Sequence, residues 1–242
     1  MMFLSQNLYL KINKSEYMKY LIVVAHPDDE VLGAGASIRK WSQNGDIVDI
    51  AIMCTEAKAR AFRPKDNELE ADTNTSIEFL GVHKKYEATF PNIEMNTVPH
   101  IKLVQFIESA IYESEPDVII THHSADTNND HMMTSMACQE AIRLFQRQST
   151  IKPISEFWFM EVGSATDWCL NSAMNAFRPN VYVEVGKGGV DAKIKALGMY
   201  RGVMRPYPHP RSNEAMEGLA AWRGRQIGCM YAEAFECAMR RI

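Results

Sequence analysis

At 242 residues the chain can bury a full hydrophobic core, and 46% hydrophobic against 23% charged residues is an ordinary globular balance. A formal charge of −4, with lysine and arginine scattered, excludes a basic field that would recruit nucleic acid or an anionic membrane. No run approaches the ~20 consecutive apolar residues of a membrane helix.

Residues 1–19 lack a long apolar stretch ahead of a small-residue cleavage site, so they are expected to form a lead-in arm rather than a signal peptide. Tyr20–Ala25 (YLIVVA) is a continuous apolar run of strand formers, as expected of a central strand buried on both faces. After HPDDE, Val31–Trp41 reads as a helix stopped by Asn44-Gly45. Ile47–Met53 is the second predicted strand, 55–67 a charged loop, and Leu69–Leu80 a helix ended by Gly81. A short strand follows at Lys84–Phe90. Val98, Ile101, Val104, Ile107 and Ile111 then recur at the spacing of one buried helical face. Asp117–Thr121 (DVIIT) is another buried strand, and Met132–Gln146 a helix. Strands are predicted at Phe157–Val162 and Val181–Val185, with helices near Asp191–Tyr200 and Asn213–Ile227. This alternation predicts an α/β, Rossmann-like, mostly parallel sheet with helices on both faces, formed as a single domain over 1–242. The five cysteines, Cys54, Cys138, Cys169, Cys229 and Cys237, are irregularly spaced without a CxxC pair, which points to reduced, mostly buried thiols of a cytoplasmic protein.

In open parallel sheets, ligands gather at the carboxyl ends of the strands. Strand one runs into His26-Pro27-Asp28-Asp29-Glu30, and the DVIIT strand into a stretch from His122 to His131 rich in histidine and aspartate. Dinucleotide binding is a weak alternative: Gly33 and Gly35 give G-x-G, but Ile38 stands where the third glycine belongs, and the carboxylates would repel a pyrophosphate. Those glycines are expected to let the helix pack closely on the sheet. A divalent metal fits better, because His26 and Asp29 lie three apart across a strand-to-helix turn and His131 can join them from the neighbouring loop.

AHPDDE after a hydrophobic strand resembles the signature of the PIG-L/LmbE family of zinc-dependent N-acetyl-sugar deacetylases. Asp126-x-Asn128-x-Asp130-His131 is similar to that family's second motif. The resemblance continues through Leu80-Gly81 and His209-Pro210-Arg211-Ser212, and ends in Arg223–Gly228 and Tyr231–Phe235. It implies that His26, Asp29 and His131 ligate one Zn²⁺, with other divalent metals as alternatives. It also implies that Asp28, not a ligand, is the general base toward water, and that an acetamide is split to acetate and a free amine. Many members carry a histidine where this chain has Asn128. Asparagine can donate a hydrogen bond to an oxyanion but carries no positive charge, so either Asn128 suffices or another residue such as His209 supplies the donor.

Other residues have bland alternatives. Asp130 reads first as a helix cap and second as an organiser of the site; Asp126 is evenly placed between turn former and organiser. Of His122 and His123, at most one should face the site, since successive strand residues point to opposite sides. Glu30 reads as a first-turn helix acid rather than a ligand. Arg60, Arg63 and Lys65 are either a solvated basic loop or a grip on substrate, and Arg211 is expected at the pocket rim. Trp158, Trp168 and Trp222 are assigned to the core before sugar stacking, and the methionines are read as core filler. The expected partner is an N-acetylated sugar or glycoconjugate. Self-association into a homo-oligomer stays open. Two alternatives stand beside deacetylation: hydrolysis of another amide or ester, and non-catalytic binding of sugar or metal.

Overall fold

The computed structural model describes residues 17–56, 58, 64–169 and 176–242, so most of the predicted lead-in arm, and both Arg60 and Arg63, lie outside the described residues. Strand β1 (Lys19–Val24) leads into helix α1 (Asp29–Gln43), followed by β2 (Ile47–Ile52), α2 (Asp66–Leu80) and β3 (Lys84–Glu87). Then come α3 (His100–Ser114), β4 (Val118–His122), α4 (Asn129–Ala141), β5 (Glu156–Met160), β6 (Val181–Glu184), α5 (Gly186–Met199), α6 (Asn213–Ile227) and β7 (Ala232–Arg240).

The seven strands form one sheet in the order β3-β2-β1-β4-β5-β7-β6. The pairs from β3 to β5 are parallel, and β7 runs antiparallel to both β5 and β6. The chain fills one side of β1 with β2 and β3, then crosses to place β4 on the other side. The β1/β4 junction is therefore the switch point at which open α/β sheets leave a crevice.

Strand β1 is apolar throughout because both of its faces are covered. Tyr20, Ile22 and Val24 belong to one core cluster with Val31, Leu32 and Ile38 of α1. Leu21, Val23 and Ala25 belong to the other, with Leu103 and Ile107 of α3. The period of two along a strand sends alternate residues into the two layers. Trp41 closes the first layer by stacking on Tyr20 at 4.1 Å between ring centroids.

Several expectations need correction. Strand β7 was not foreseen as a strand, and its first half is buried while its second half is exposed. Helix α4 begins three residues before the predicted start and ends at Ala141, with a short 3₁₀ turn at Leu144–Gln146 taking the rest of the predicted span. Ile101 is 53% exposed rather than part of the buried face of α3. Trp158 is core, but Trp168 and Trp222 are more than half exposed, and Arg225 stacks over Trp222 at 3.8 Å. All five cysteines are free, yet only Cys54 and Cys138 are buried; the other three are half-buried. Methionine is likewise divided, with Met53, Met95 and Met160 in the core and Met230 at 76% exposure.

Gly33 does let α1 approach the sheet: a Cβ there would come within 2.8 Å of Met160 Cγ on β5 and nearer still to its sulfur. Gly35 serves a different contact, since its Cβ would meet Val31 of its own helix at 2.7 Å and Lys193 of α5 at 3.3 Å.

Candidate metal centre at the β1/β4 switch point

The loops that follow β1 and β4 are tied together at their roots. The Ala25 N–H donates to His122 Nε2 at 2.9 Å, fixing the end of one strand to the end of the other. Beyond that bond the chain turns through Asp28, whose backbone is left-handed (φ 98°, ψ −25°), and α1 starts at Asp29. A non-glycine residue held there costs roughly 1–3 kcal/mol, so its surroundings must over-determine it. The Asp28 N–H donates to Glu30 Oε2 at 3.1 Å.

The structure brings His26, Asp29 and His131 together, all buried. His26 Nδ1 lies 3.3 Å and His131 Nε2 lies 3.2 Å from Asp29 Oδ2. Bonds of about 2.0–2.2 Å to a tetrahedral zinc place neighbouring ligand atoms about 3.4 Å apart. The donor set of two imidazoles and a carboxylate, at these separations, fits such an ion.

The far side of each imidazole is occupied by a second carboxylate. His26 Nε2 lies 3.0 Å from Asp130 Oδ2, and His131 Nδ1 lies 3.1 Å from Asp126 Oδ2. These acids are themselves anchored. Asp130 accepts from the Ile93 N–H at 2.5 Å and the Met95 N–H at 3.1 Å. Asp126 accepts from Thr166 Oγ1 at 2.9 Å and the Asn128 N–H at 2.8 Å. A carboxylate behind a histidine fixes its ring orientation and makes the other nitrogen a better ligand. Asp130 is therefore not the cap of α4. Asn128 is, accepting from the Asp130 N–H at 2.9 Å through its side-chain oxygen. Asp126 does both jobs foreseen for it, one oxygen closing the turn and the other facing His131.

His122 faces the site and His123 the opposite side of the sheet, as strand alternation requires, and both are buried. His123 packs edge-on against Phe159 and Phe177 and sits 3.6 Å from Glu236. His122 stacks on His131 with centroids 3.9 Å apart and planes 17° apart. His122, Asp126 and His131 also cluster closely enough to suggest a second metal group. Imidazole lone pairs lie in the ring plane, however, so two nearly parallel stacked rings cannot aim at one ion. His122 is better described as a wall behind His131. Its Nε2 accepts from Ala25, which leaves the proton on Nδ1, and that atom is buried without a hydrogen-bond partner among the described residues.

The electrostatics follow from this crowding. Burial and the neighbouring His131 push His122 down to about 3. Burial also works against charge on His131, but Asp29 and Asp126 overcome it and raise its pKa to about 10. Burial opposes charge on His26 as well, and Asp130 and Asp29 together lift it above its ordinary value. Burial would raise Asp29, yet the surrounding histidines hold it well below the usual carboxylate range. Without a metal, protons on the two imidazoles balance the buried acids; a bound cation would displace them.

Glu30 is the first-turn acid of α1 that was expected, in an unexpected setting. It is fully buried, and burial with Asp28 and Asp29 nearby pushes it up to about 8 despite a 2.5 Å hydrogen bond from the Tyr200 hydroxyl. Nothing in the sequence signals Tyr200, which arrives from the end of α5. Arg211 reaches Asp28 directly, its guanidinium 3.2 Å from Asp28 Oδ2. His209 sits on the same loop, exposed, with Nδ1 accepting from the Arg211 N–H at 3.0 Å. Lys65 is exposed at the start of α2.

Known proteins resemble this chain in sequence or in fold. The uncharacterized deacetylase YaiS of Escherichia coli (strain K12) is 28% identical over 131 residues, 51% of this chain and 67% of that protein. Among solved structures, N,N'-diacetylchitobiose deacetylase from Pyrococcus horikoshii superposes with a TM-score of 0.72 at 19% identity, over 91% of this chain and 84% of that one. GalB, the 4-carboxy-2-hydroxymuconate hydratase of Pseudomonas putida KT2440, gives 0.73 at 17% identity, over 93% and 98%. At such identities the two structural likenesses speak for the fold alone. Residues 21–142, which carry both rim motifs, match the family described as PIG-L, GlcNAc-PI de-N-acetylase, and the chain therefore belongs to that family.

Proposed function

We propose that the protein is a zinc-dependent hydrolase that removes the acetyl group from an N-acetylamino sugar or its conjugate, with Asp28 as general base. The observation that carries this reading is the convergence of His26 Nδ1, Asp29 Oδ2 and His131 Nε2 next to a buried acid whose own carboxylate goes elsewhere, to Arg211. His26, Asp29 and His131 would hold the ion. When bound, a divalent cation at this place supplies Lewis acidity and makes water nucleophilic at neutral pH.

The chain's own residues account for the remaining steps. Asp126 and Asp130 keep the two imidazoles oriented. Asp28 takes a proton from the attacking water and returns it to the departing amine, so that one residue serves as base and then acid. Arg211 holds one oxygen of the Asp28 carboxylate and restrains its rotation. The side-chain oxygen of Asn128 is used in capping α4, which leaves its amide hydrogens as the only donors it can offer an oxyanion. Burial of the site excludes bulk water and strengthens each of these interactions. A cleft of about 420 Å³ lined by Pro27, Thr55, Glu56, Asn67 and Thr89 opens beside the HPDDE turn and offers room for a polar substrate.

The test is acetate release from a panel of N-acetylglucosamine derivatives, with and without chelator, on protein whose metal content has been measured. Asp28→Asn is expected to lower kcat by about 10²–10⁴-fold while the metal stays bound. Unchanged turnover by that variant contradicts the role given to Asp28. Because the same fold carries a hydratase in GalB, the panel should include other amides, esters and an unsaturated acid. A zinc-loaded protein that cleaves only another amide or ester would keep the metal site and change the substrate. One that turns over nothing would be a binding protein.

A further inference from the structure

Asp28 and Asp29 are consecutive acids given different tasks. Asp29 Oδ2 faces the two imidazoles, whereas Asp28 Oδ2 faces Arg211 at 3.2 Å. What separates them is the backbone: φ at Asp28 is 98°, a region an L-residue leaves unless it is held. Its N–H donates to Glu30 Oε2 at 3.1 Å, and the other oxygen of Glu30 accepts from the Tyr200 hydroxyl at 2.5 Å. All three residues are essentially inaccessible: Asp28 and Tyr200 are 1% exposed and Glu30 is 0%. Glu30 faces neither the three candidate ligands nor solvent, so its burial is unexplained by catalysis or by solubility. Tyr200 is at the end of α5, 170 positions away, and its hydroxyl reaches beneath the HPDDE turn to Glu30, with the Thr73 side chain of α2 as a second hydrogen-bond neighbour.

We propose that Tyr200 and Glu30 are a positioning pair that clamps Asp28 in its left-handed conformation and so keeps the base and the metal-facing acid apart. The proposal rests on the role given to Asp28 above, but its structural half can be tested without activity. Tyr200 fixes one oxygen of Glu30, and Glu30 can then present the other to the Asp28 N–H. Without the hydroxyl the Glu30 side chain is free to rotate and the turn can relax to negative φ.

Tyr200→Phe deletes the hydroxyl and keeps the ring. It is expected to lower kcat by about ten- to a hundredfold, the effect of a misplaced catalytic group, with KM and metal content unchanged. Glu30→Ala should reproduce that loss. Glu30→Gln should recover most of the turnover, because a carboxamide can accept from the Asp28 N–H through its oxygen and donate to the Tyr200 oxygen through its nitrogen. Should Tyr200→Phe not fold, the Ala and Gln variants of Glu30 make the same comparison. Wild-type kcat in Tyr200→Phe, a loss confined to KM, or equal loss in Ala and Gln overturns the proposal. If the wild-type protein hydrolyses nothing in the panel, the deacetylase reading fails instead. A crystal structure of Tyr200→Phe then decides: movement of Asp28 out of the left-handed region supports the clamp, and an unchanged φ removes it.

Discussion

Two buried charge clusters meet the same helix, α1, and differ in how completely their members satisfy one another. Near the middle of the helix Lys193 and Glu233 form a closed set. Lys193 Nζ donates to Glu233 Oε1 and to Leu32 O, both at 2.7 Å, while the Glu233 oxygens accept from the Ala36 and Ser37 N–H groups at 3.2 and 2.7 Å. At the helix start, Asp29 Oδ2 is crowded by the His26 N–H at 3.0 Å and by three imidazoles, and His122 keeps an unpartnered nitrogen. A set that satisfies itself fixes a packing arrangement and asks for nothing more. A set that gathers two imidazole nitrogens around one carboxylate oxygen is suited to receive a cation.

The largest effect should follow from opening the helix-start cluster. His131→Ala is expected to abolish stoichiometric zinc binding and the turnover that depends on it, measured by elemental analysis and acetate release. Full zinc occupancy in this variant would end the proposed division between the clusters. Next comes the closed cluster. Glu233→Ala leaves Lys193 buried without its partner and should cost about 3–5 kcal/mol in denaturant unfolding, with zinc stoichiometry preserved in the folded fraction. A loss of zinc without a loss of stability would reverse the two assignments. A smaller effect is expected from Asp126→Ala, which removes the acid behind His131. Zinc affinity should weaken by about 10–100-fold in competition titrations, without abolition.

The subtlest contrast is in pH. In metal-free protein, His131 at about 10 contributes stability that is complete below its ordinary 6.5 and is lost as pH rises toward 10. Glu30, raised from 4.5 to about 8, acts in the same sense over that lower window. His122 acts oppositely: with its pKa near 3 instead of 6.5, stability falls as acid protonates the unfolded chain first. Asp29, held low, also loses its contribution as pH falls. Thermal melts should therefore peak on the acid side of neutrality, between the ordinary Glu and His values of 4.5 and 6.5, and decline toward alkali, and zinc should flatten the alkaline side by taking the place of the His131 proton. Melting temperatures that climb steadily into alkali without metal would contradict the charge state assigned to the trio.

Much of this was legible in the chain. Apolar runs marked the central strands because both of their faces are covered, and Gly45 and Gly81 marked helix ends because both take the positive φ that stops a helix. The hidden elements were those whose character depends on a neighbour. Strand β7 mixes acids with apolar residues because Glu233 turns inward to Lys193 and Glu236 faces His123, so its pattern alternates poorly. Ile101 kept helical spacing yet faces outward, because periodicity marks a stripe and does not say where the covering layer ends.

The sequence alone determined that two acid- and histidine-bearing loops follow two buried strands, and that Asp28 stands beside a metal-capable pair three residues apart. Local covalent order sets those spacings. Only the tertiary structure decided which nitrogen meets which oxygen, that Asn128 rather than Asp130 caps α4, that Arg211 meets Asp28, and that Tyr200 lies beneath the turn. Those contacts join residues as much as 183 positions apart, and only the order of strands in the sheet brings them together.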